Sequence, residues 1–327
     1  MAKKDKPEKQ SFEEILRSLE QKYGLERPDP KSLTIVSTGS LQLNQAMKVG
    51  GTALGKMVEL FGNESCGKST LCLHQMAEYQ KAFPDKRVAL FDYENSFDSD
   101  YAETLGVDTD KMLFYQPESQ EQGYDMILGL IEKDLVSCVI IDSQTGASPK
   151  AVIDGEMGDS TIALQARLNS KFCLKVKGLL TIHKTTLFII SQTRDNIGSM
   201  GGDATITTGG KAIKFYSDVR WKIWKTNDKE KELIKVTVDV IKSKIGKPFG
   251  QAKFDILYGV GIDTLGEIIS YAEDFKIIRR AGSWYNYYED EVPTQIGQGV
   301  NGVKTILTDN VELLEKITAQ VNQKLGI

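Results

Sequence analysis

Short apolar runs alternate with longer stretches in which apolar residues fall three and four apart, from about Leu33 to Gly266. A largely parallel sheet covered by helices requires that order: strands buried on both faces read as continuous apolar runs, and each crossover helix needs one apolar stripe. The runs predict strands at Met57–Phe61, Arg87–Asp92, Cys138–Asp142, Thr186–Gln192 and Val219–Lys225. Ile234–Ser243 and Ala252–Tyr258 alternate more clearly, which predicts an antiparallel extension exposed on one face. Helical spacing covers Thr70–Lys81, Tyr101–Leu105, Gln120–Lys133 and Thr161–His183.

The two ends have a different texture. Ser11 with Glu14 forms a capping-box pattern, and Phe12, Ile15, Leu16, Leu19 and Tyr23 repeat at helical spacing up to Gly24. Arg27-Pro28-Asp29-Pro30 separates this helix from the rest, and helix statistics favour packing of its apolar stripe on its own chain. Beyond Gly266 the pattern predicts a helix at Glu267–Phe275 and a strand-turn-strand over Ile277–Tyr288 around Ala281-Gly282. A last amphipathic helix carries Val311, Leu313, Leu314, Ile317 and Val321. The expected organisation is an N-terminal helix and linker at 1–33, an α/β core at 34–266 and a small α+β subdomain at 267–327.

Composition narrows the function classes mainly by exclusion. The chain has 327 residues, ordinary charged and apolar fractions and a net charge of −4, so a nucleic-acid surface has to be a local basic patch. No apolar stretch is long enough to span a bilayer, and the lysine-rich start has no apolar segment behind it, which predicts a cytoplasmic protein without membrane partners. Cys66, Cys72, Cys138 and Cys173 lie at unrelated spacings, as expected of reduced thiols. With only His74 and His183 beside them, neither a zinc site nor a histidine triad is supported.

The chemistry starts at Gly62-Asn63-Glu64-Ser65-Cys66-Gly67-Lys68-Ser69, which fits G-x-x-x-x-G-K-[ST] directly after an apolar strand and before the helix that opens at Thr70. In such a P-loop, backbone N–H groups and the helix N-terminus face phosphate oxygens, and Lys68 reaches the terminal phosphates. Ser69 is the expected magnesium ligand, and ATP the expected nucleotide. About seventy residues later Cys138-Val139-Ile140-Ile141 ends in Asp142, the expected second magnesium residue. Hydrolysis needs a carboxylate near the terminal phosphate, and Val88–Asp92 delivers Glu94 just past a strand end, with loop solvation or helix capping as its alternative role. Ligands gather at the carboxyl ends of parallel strands, so the P-loop, Glu94, Asp142 and Gln192 should share one edge.

Further segments carry a specific resemblance. Ser37-Thr38-Gly39-Ser40, the P-loop, and Tyr101 through Asp108 resemble the bacterial RecA recombinase family, as do Gly155-Glu156-Met157-Gly158-Asp159-Ser160 and Ser191-Gln192-Thr193-Arg194. Thr207 through Tyr216, Leu257 through Ile262 and Ala281 through Tyr285 extend the resemblance in order along nearly the whole chain. It implies a RecA-like ATPase core and an ATP-dependent helical filament on single-stranded DNA. It further implies pairing with homologous double-stranded DNA and strand exchange, in recombination, DNA repair and the SOS response to DNA damage. Single-strand-binding and loading proteins are the further partners it suggests.

Residue by residue, the resemblance makes Glu94 the catalytic carboxylate and Gln192 the sensor of the terminal phosphate. Asp98 and Tyr101 match positions beside the adenine. Lys242 and Lys244 match cations that reach the phosphates of the next subunit, whereas the bare pattern of an alternating strand reads them as solvated. The N-terminal helix, with Phe12, Ile15, Leu16 and Leu19, is implied to dock on a neighbouring subunit, which revises its first placement; Phe215 matches an interface aromatic. For DNA, Ile162 and Ile197 are implied as wedges between stacked bases. Arg167, Ser170, Lys175, Arg194, Gly209 and Gly210 are implied as backbone contacts, with Met200 in the same loop.

The five glycines from Ile197 to Gly210 and the charges of Arg194, Lys211 and Lys214 are compatible with a sequence-tolerant groove, and equally with a plain flexible loop. Gly201-Gly202 stands where relatives carry an aromatic before glycine. Tyr93 and Asn95 flank Glu94 in place of a small residue and histidine, and the sequence ends without the acidic tail of many relatives. These departures suggest a divergent, phage-type member. The competing reading is a regulatory or assembly ATPase of the same fold without strand exchange.

Overall fold

The computed structural model describes residues 11–24, 33–156, 163–195, 205–207, 209–228, 232–289 and 292–326. The chain divides into Met1–Thr34 and Ile35–Ile327. In the first, helix α1 (Phe12–Tyr23) starts at a complete capping box, with Ser11 and Glu14 each bonding the other's backbone N–H, and stops at Gly24 with φ +60°. No residue of α1 is buried: Phe12 is 75% exposed, Ile15 and Leu19 nearly half, and Leu16 partly covered.

In the second unit, β1 (Ile35–Val36) pairs with β2 (Thr52–Ala53) around helix α2 (Leu41–Met47). The core then runs β3 (Met57–Gly62), α3 (Lys68–Ala82), β4 (Arg87–Asp92), α4 (Ser99–Thr104), β5 (Met112–Tyr115), α5 (Gln120–Glu132) and β6 (Val136–Asp142). After α6 (Lys150–Ile153) come α7 (Leu164–His183), β7 (Thr186–Asp195), β8 (Thr205–Thr207), α8 (Ala212–Tyr216) and β9 (Val219–Asp228). The sheet closes with β10 (Leu233–Ser243), β11 (Gln251–Leu257) and β12 (Gly261–Ile262).

The main sheet has the order β12-β11-β10-β9-β3-β7-β6-β4-β5. From β9 to β5 all pairs are parallel, and β9 through β12 pair antiparallel, which is the predicted extension. Both faces are covered. Val58, Leu60, Leu71, Met76, Phe188 and Trp221 belong to one apolar core, and Met57, Phe91, Tyr124, Phe172, Val176 and Ile189 to the other. That is why β3 and β6 are buried along their whole lengths. Helix α7 begins at Leu164; Thr161 and Ile162 of the expected helix lie outside the described residues.

The C-terminal part packs α9 (Thr264–Asp274), a meander of β13 (Ile278–Ala281), β14 (Trp284–Glu289) and β15 (Val292–Gln298), then α10 (Gly299–Asp309) and α11 (Val311–Leu325), around its own core of Ile269, Tyr285, Tyr287, Val303, Ile317 and Val321. It is joined to the sheet domain by Glu267. Its carboxylate accepts hydrogen bonds from Ser40 Oγ at 2.6 Å and from the N–H groups of Leu41 and Gln42 at 2.9 and 3.3 Å, capping α2.

Candidate active site

Strand β3 delivers Gly62 and helix α3 takes over at Lys68, so the chain must turn back within Asn63–Gly67. Gly67 has φ +86°, and a Cβ there would lie 2.6 Å from the Ile256 side chain; at Gly62 it would lie 2.0 Å from the Ile223 carbonyl oxygen. Both positions admit only glycine. Asn63, Glu64, Ser65 and Ser69 are exposed at this turn, Thr70 and Gly67 partly so, and Cys66 is buried, where burial raises its thiol pKa. Lys68 is folded over the loop, its Nζ donating to the carbonyls of Gly62 at 3.1 Å and Asn63 at 2.6 Å.

The loop is one wall of a cavity of about 710 Å³ that also receives Glu94, Tyr101, Asp142 and Gln192. The sheet register explains the convergence. Gly62 is paired with Gln192 across β3 and β7, and Asp92 with Asp142 across β4 and β6, so β3, β4 and β6 end on the same edge of the sheet, beside β7 as it runs on to Asp195. Ile234, Ile256, Tyr258 and Gly259 add an apolar wall to the same cavity, with Ile256 against Gly67; none of them was expected at the nucleotide. Tyr101 is fixed by a 3.2 Å contact between its hydroxyl and that of Thr70. Asp98, expected beside the adenine, caps α4 by accepting from the Tyr101 N–H at 3.0 Å, and lines a smaller adjoining cavity of about 260 Å³.

Glu94 is held from two sides, by the Ser143 hydroxyl and by Gln192 Nε2 at 2.9 Å, both on Oε1. Its backbone is set by Asp92, a buried carboxylate that accepts from the N–H groups of Glu94, Ser96 and Phe97 at 2.9, 2.9 and 3.2 Å. Thr145 Oγ1 accepts from the Gln192 N–H at 3.1 Å. Asp92, Ser143 and Thr145 escaped the sequence reading, although Asp92 ends an apolar strand two residues before Glu94.

Asp142 is buried, and burial, with Glu94 and Asp92 nearby, pushes its carboxyl up to about 6 against the opposing hydrogen bond from Ser69. Asp142 and the Ser69 hydroxyl bonded to it are oxygen donors of the kind that suit a hard divalent cation such as Mg²⁺.

The other expected residues lie away from this cavity. Lys242 donates from Nζ to the carbonyls of Lys214 and Phe215, both at 3.0 Å, and burial together with Lys244 and Arg220 lowers its pKa. Lys244 lies 3.8 Å from Asp218, which also pairs with Lys177. Lys242 is thus engaged with its own chain and not simply solvated. Phe215 is 64% exposed. Arg167, Ser170 and Lys175 are exposed along one face of α7 with Lys171 and Leu174. Gly210 is exposed, whereas Gly209 is turned inward and packed. Ile162, Ile197 and Met200 lie outside the described residues, as does the side chain of Arg194.

No helix among the described residues is long and apolar enough to cross a membrane. A family model described as the RecA N-terminal domain matches residues 11–263, and one described as the RecA C-terminal domain matches 266–326. Protein RecA of Chlorobium chlorochromatii is 43% identical over 292 residues, covering 88% of this chain and 81% of its own. The Nocardioides and Bacteroides thetaiotaomicron proteins of that name are 41% and 40% identical, each over 90% of this chain and over 84% and 89% of their own lengths. By the sheet, the cavity and these similarities, the chain belongs to the RecA family of homologous-recombination ATPases.

Proposed function

We propose that the chain assembles into helical filaments on single-stranded DNA, binds ATP with Mg²⁺ in the P-loop cavity, and pairs the strand with a homologous duplex for exchange in the cytoplasm. The observation that carries this is Gln192. Its amide holds Glu94 inside the nucleotide cavity, and it sits on the same strand as Asp195, the last described residue before the segment of Ile197 and Met200 expected to meet DNA.

Lys68 and the N–H groups of the P-loop bind and orient the triphosphate, exchanging two carbonyl contacts of the lysine for phosphate oxygens. Glu94 accepts a proton from, or orients, the attacking water, with Ser143 and Gln192 fixing its carboxylate. Ser69 and Asp142 hold the magnesium, which when bound neutralises charge on the phosphate oxygens. Lys242 and Lys244 act on the nucleotide of the next subunit, where cations stabilise transition-state charge only once subunits stack. Tyr101 and the apolar wall cover the base, with Asp98 supporting Tyr101.

DNA lies along Arg167, Ser170 and Lys175, with Arg194, Gly209 and Gly210 contacting its backbone and Ile162, Ile197 and Met200 meeting its bases. Phe12, Ile15, Leu16, Leu19 and Phe215 make the subunit contacts. Single-stranded DNA is expected to raise ATP turnover sharply, and a joint-molecule assay to yield exchanged strands. Turnover unaffected by DNA would count against the reading.

A further inference from the structure

The turn after Asp142 reaches beyond the nucleotide. Ser143 bonds Glu94, Thr145 bonds the Gln192 backbone, and Gln165 Nε2 from α7 donates to the carbonyls of Gln144 and Ala147 at 3.2 and 2.9 Å. Gln144 itself is fully buried, and neither Nε2 nor Oε1 has a hydrogen-bond partner. An unpaired buried amide costs about 1–3 kcal/mol, which an apolar side chain of the same shape would avoid.

That amide is packed against Gly209. A Cβ at Gly209 would lie 2.3 Å from Gln144 Nε2 and 2.7 Å from Asn169 Nδ2, and its φ of +83° also demands glycine. The Gly209 carbonyl is taken by Asn169 Nδ2 at 2.7 Å. Asn169 is fully buried on α7, its Oδ1 accepting from Gln120 Nε2 and the Tyr124 hydroxyl, both at 2.7 Å. Two buried amides therefore pack against Gly209, and one of them, Asn169, is bonded to its carbonyl. Exchanging partners keeps the number of hydrogen bonds constant, so two arrangements lie close in energy, as a switch requires.

We infer that Asn169 and Gln144 are alternative partners of the Gly209 peptide group. Binding of single-stranded DNA at the exposed Gly210 moves that group from Asn169 to Gln144, and the shift reaches Glu94 through Ser143 and Thr145. This rests on the recombinase reading and adds a second positioning route between DNA and the ATP site, separate from the Gln192 side chain.

The test uses the full-length protein, ATP and an oligothymidylate. If wild-type turnover is not raised by the oligonucleotide, the recombinase reading fails, and this route with it. If it is raised, Gln144→Met should keep DNA-free turnover and the KM for ATP within about twofold, lose DNA stimulation by about fivefold or more, and melt no lower than wild type. Asn169→Leu, which frees the carbonyl, should raise DNA-free turnover. Stimulation of Gln144→Met to the wild-type level overturns the exchange. So does a lowered melting temperature in that variant, which contradicts the unpaired amide, or unchanged DNA-free turnover in Asn169→Leu, which reduces the cluster to packing.

Discussion

Gln192 Nε2 donates a 2.9 Å hydrogen bond to Glu94 Oε1, so the carboxylate expected to handle water and the side chain expected to sense phosphate are one unit. The Ser143 hydroxyl shares the same oxygen. Glu94→Gln removes the charge while keeping the shape. ATP and DNA binding should persist while DNA-stimulated turnover falls by about 10²–10⁴-fold, the usual contribution of a general base. Steady-state hydrolysis beside a fluorescent-nucleotide titration checks this; retained turnover would remove Glu94 from the role.

Lys68 makes two short contacts with the carbonyls of its own loop, so it shapes the loop as well as its charge. Lys68→Ala should abolish measurable ATP binding by calorimetry while circular dichroism stays unchanged, because α3 starts independently of the ammonium. Tight ATP binding by the variant would overturn the P-loop assignment.

The strands that carry the site were legible because they are buried on both faces: β3, β4 and β6 are mainly apolar runs ending in Gly62, Asp92 and Asp142. Strand β5 was not, since Met112–Tyr115 is a short sheet edge, half exposed. Strand β15 contains Pro293, and α10 holds Gly299 and Gly302, signals that argue against the elements they occupy. Within the site, Lys68, Glu94 and Asp142 could be read from local motifs. Ser143 and Thr145 could not, because their partners arrive on β4 and β7 from far along the chain, and only the sheet order brings them together.

Lys242 bonds the carbonyls of Lys214 and Phe215, next to the exposed Phe215 ring, which ties a cation to a surface expected to meet the next subunit. Lys242→Ala should lose DNA-stimulated turnover and also cost about 1 kcal/mol of stability, because two carbonyls lose a donor. Lys244→Ala, whose partner Asp218 keeps Lys177, should lose turnover with little change in melting temperature. Full turnover in both variants would end the proposed action across subunits.

Glu267 joins the C-terminal part to α2, and burial pushes its carboxyl from 4.5 up to about 7, although Ser40, Leu41 and Gln42 all donate to it. The sign follows from linkage. A carboxyl whose folded pKa is raised binds its proton more tightly when folded, so its stabilising contribution is complete below about pH 4.5 and is lost as pH rises through about 7. The shift corresponds to an effect on the order of 3 kcal/mol. Asp142 acts with the same sign at a lower pH, its carboxyl being raised to about 6. Between pH 6 and 8 the melting temperature should therefore fall in the wild type, and Glu267→Gln, which cannot ionise, should show a clearly shallower fall over the same window. An identical slope in the two proteins, measured by calorimetry in matched buffers, would show that Glu267 stays ionised and that its bonds to α2 outweigh its burial.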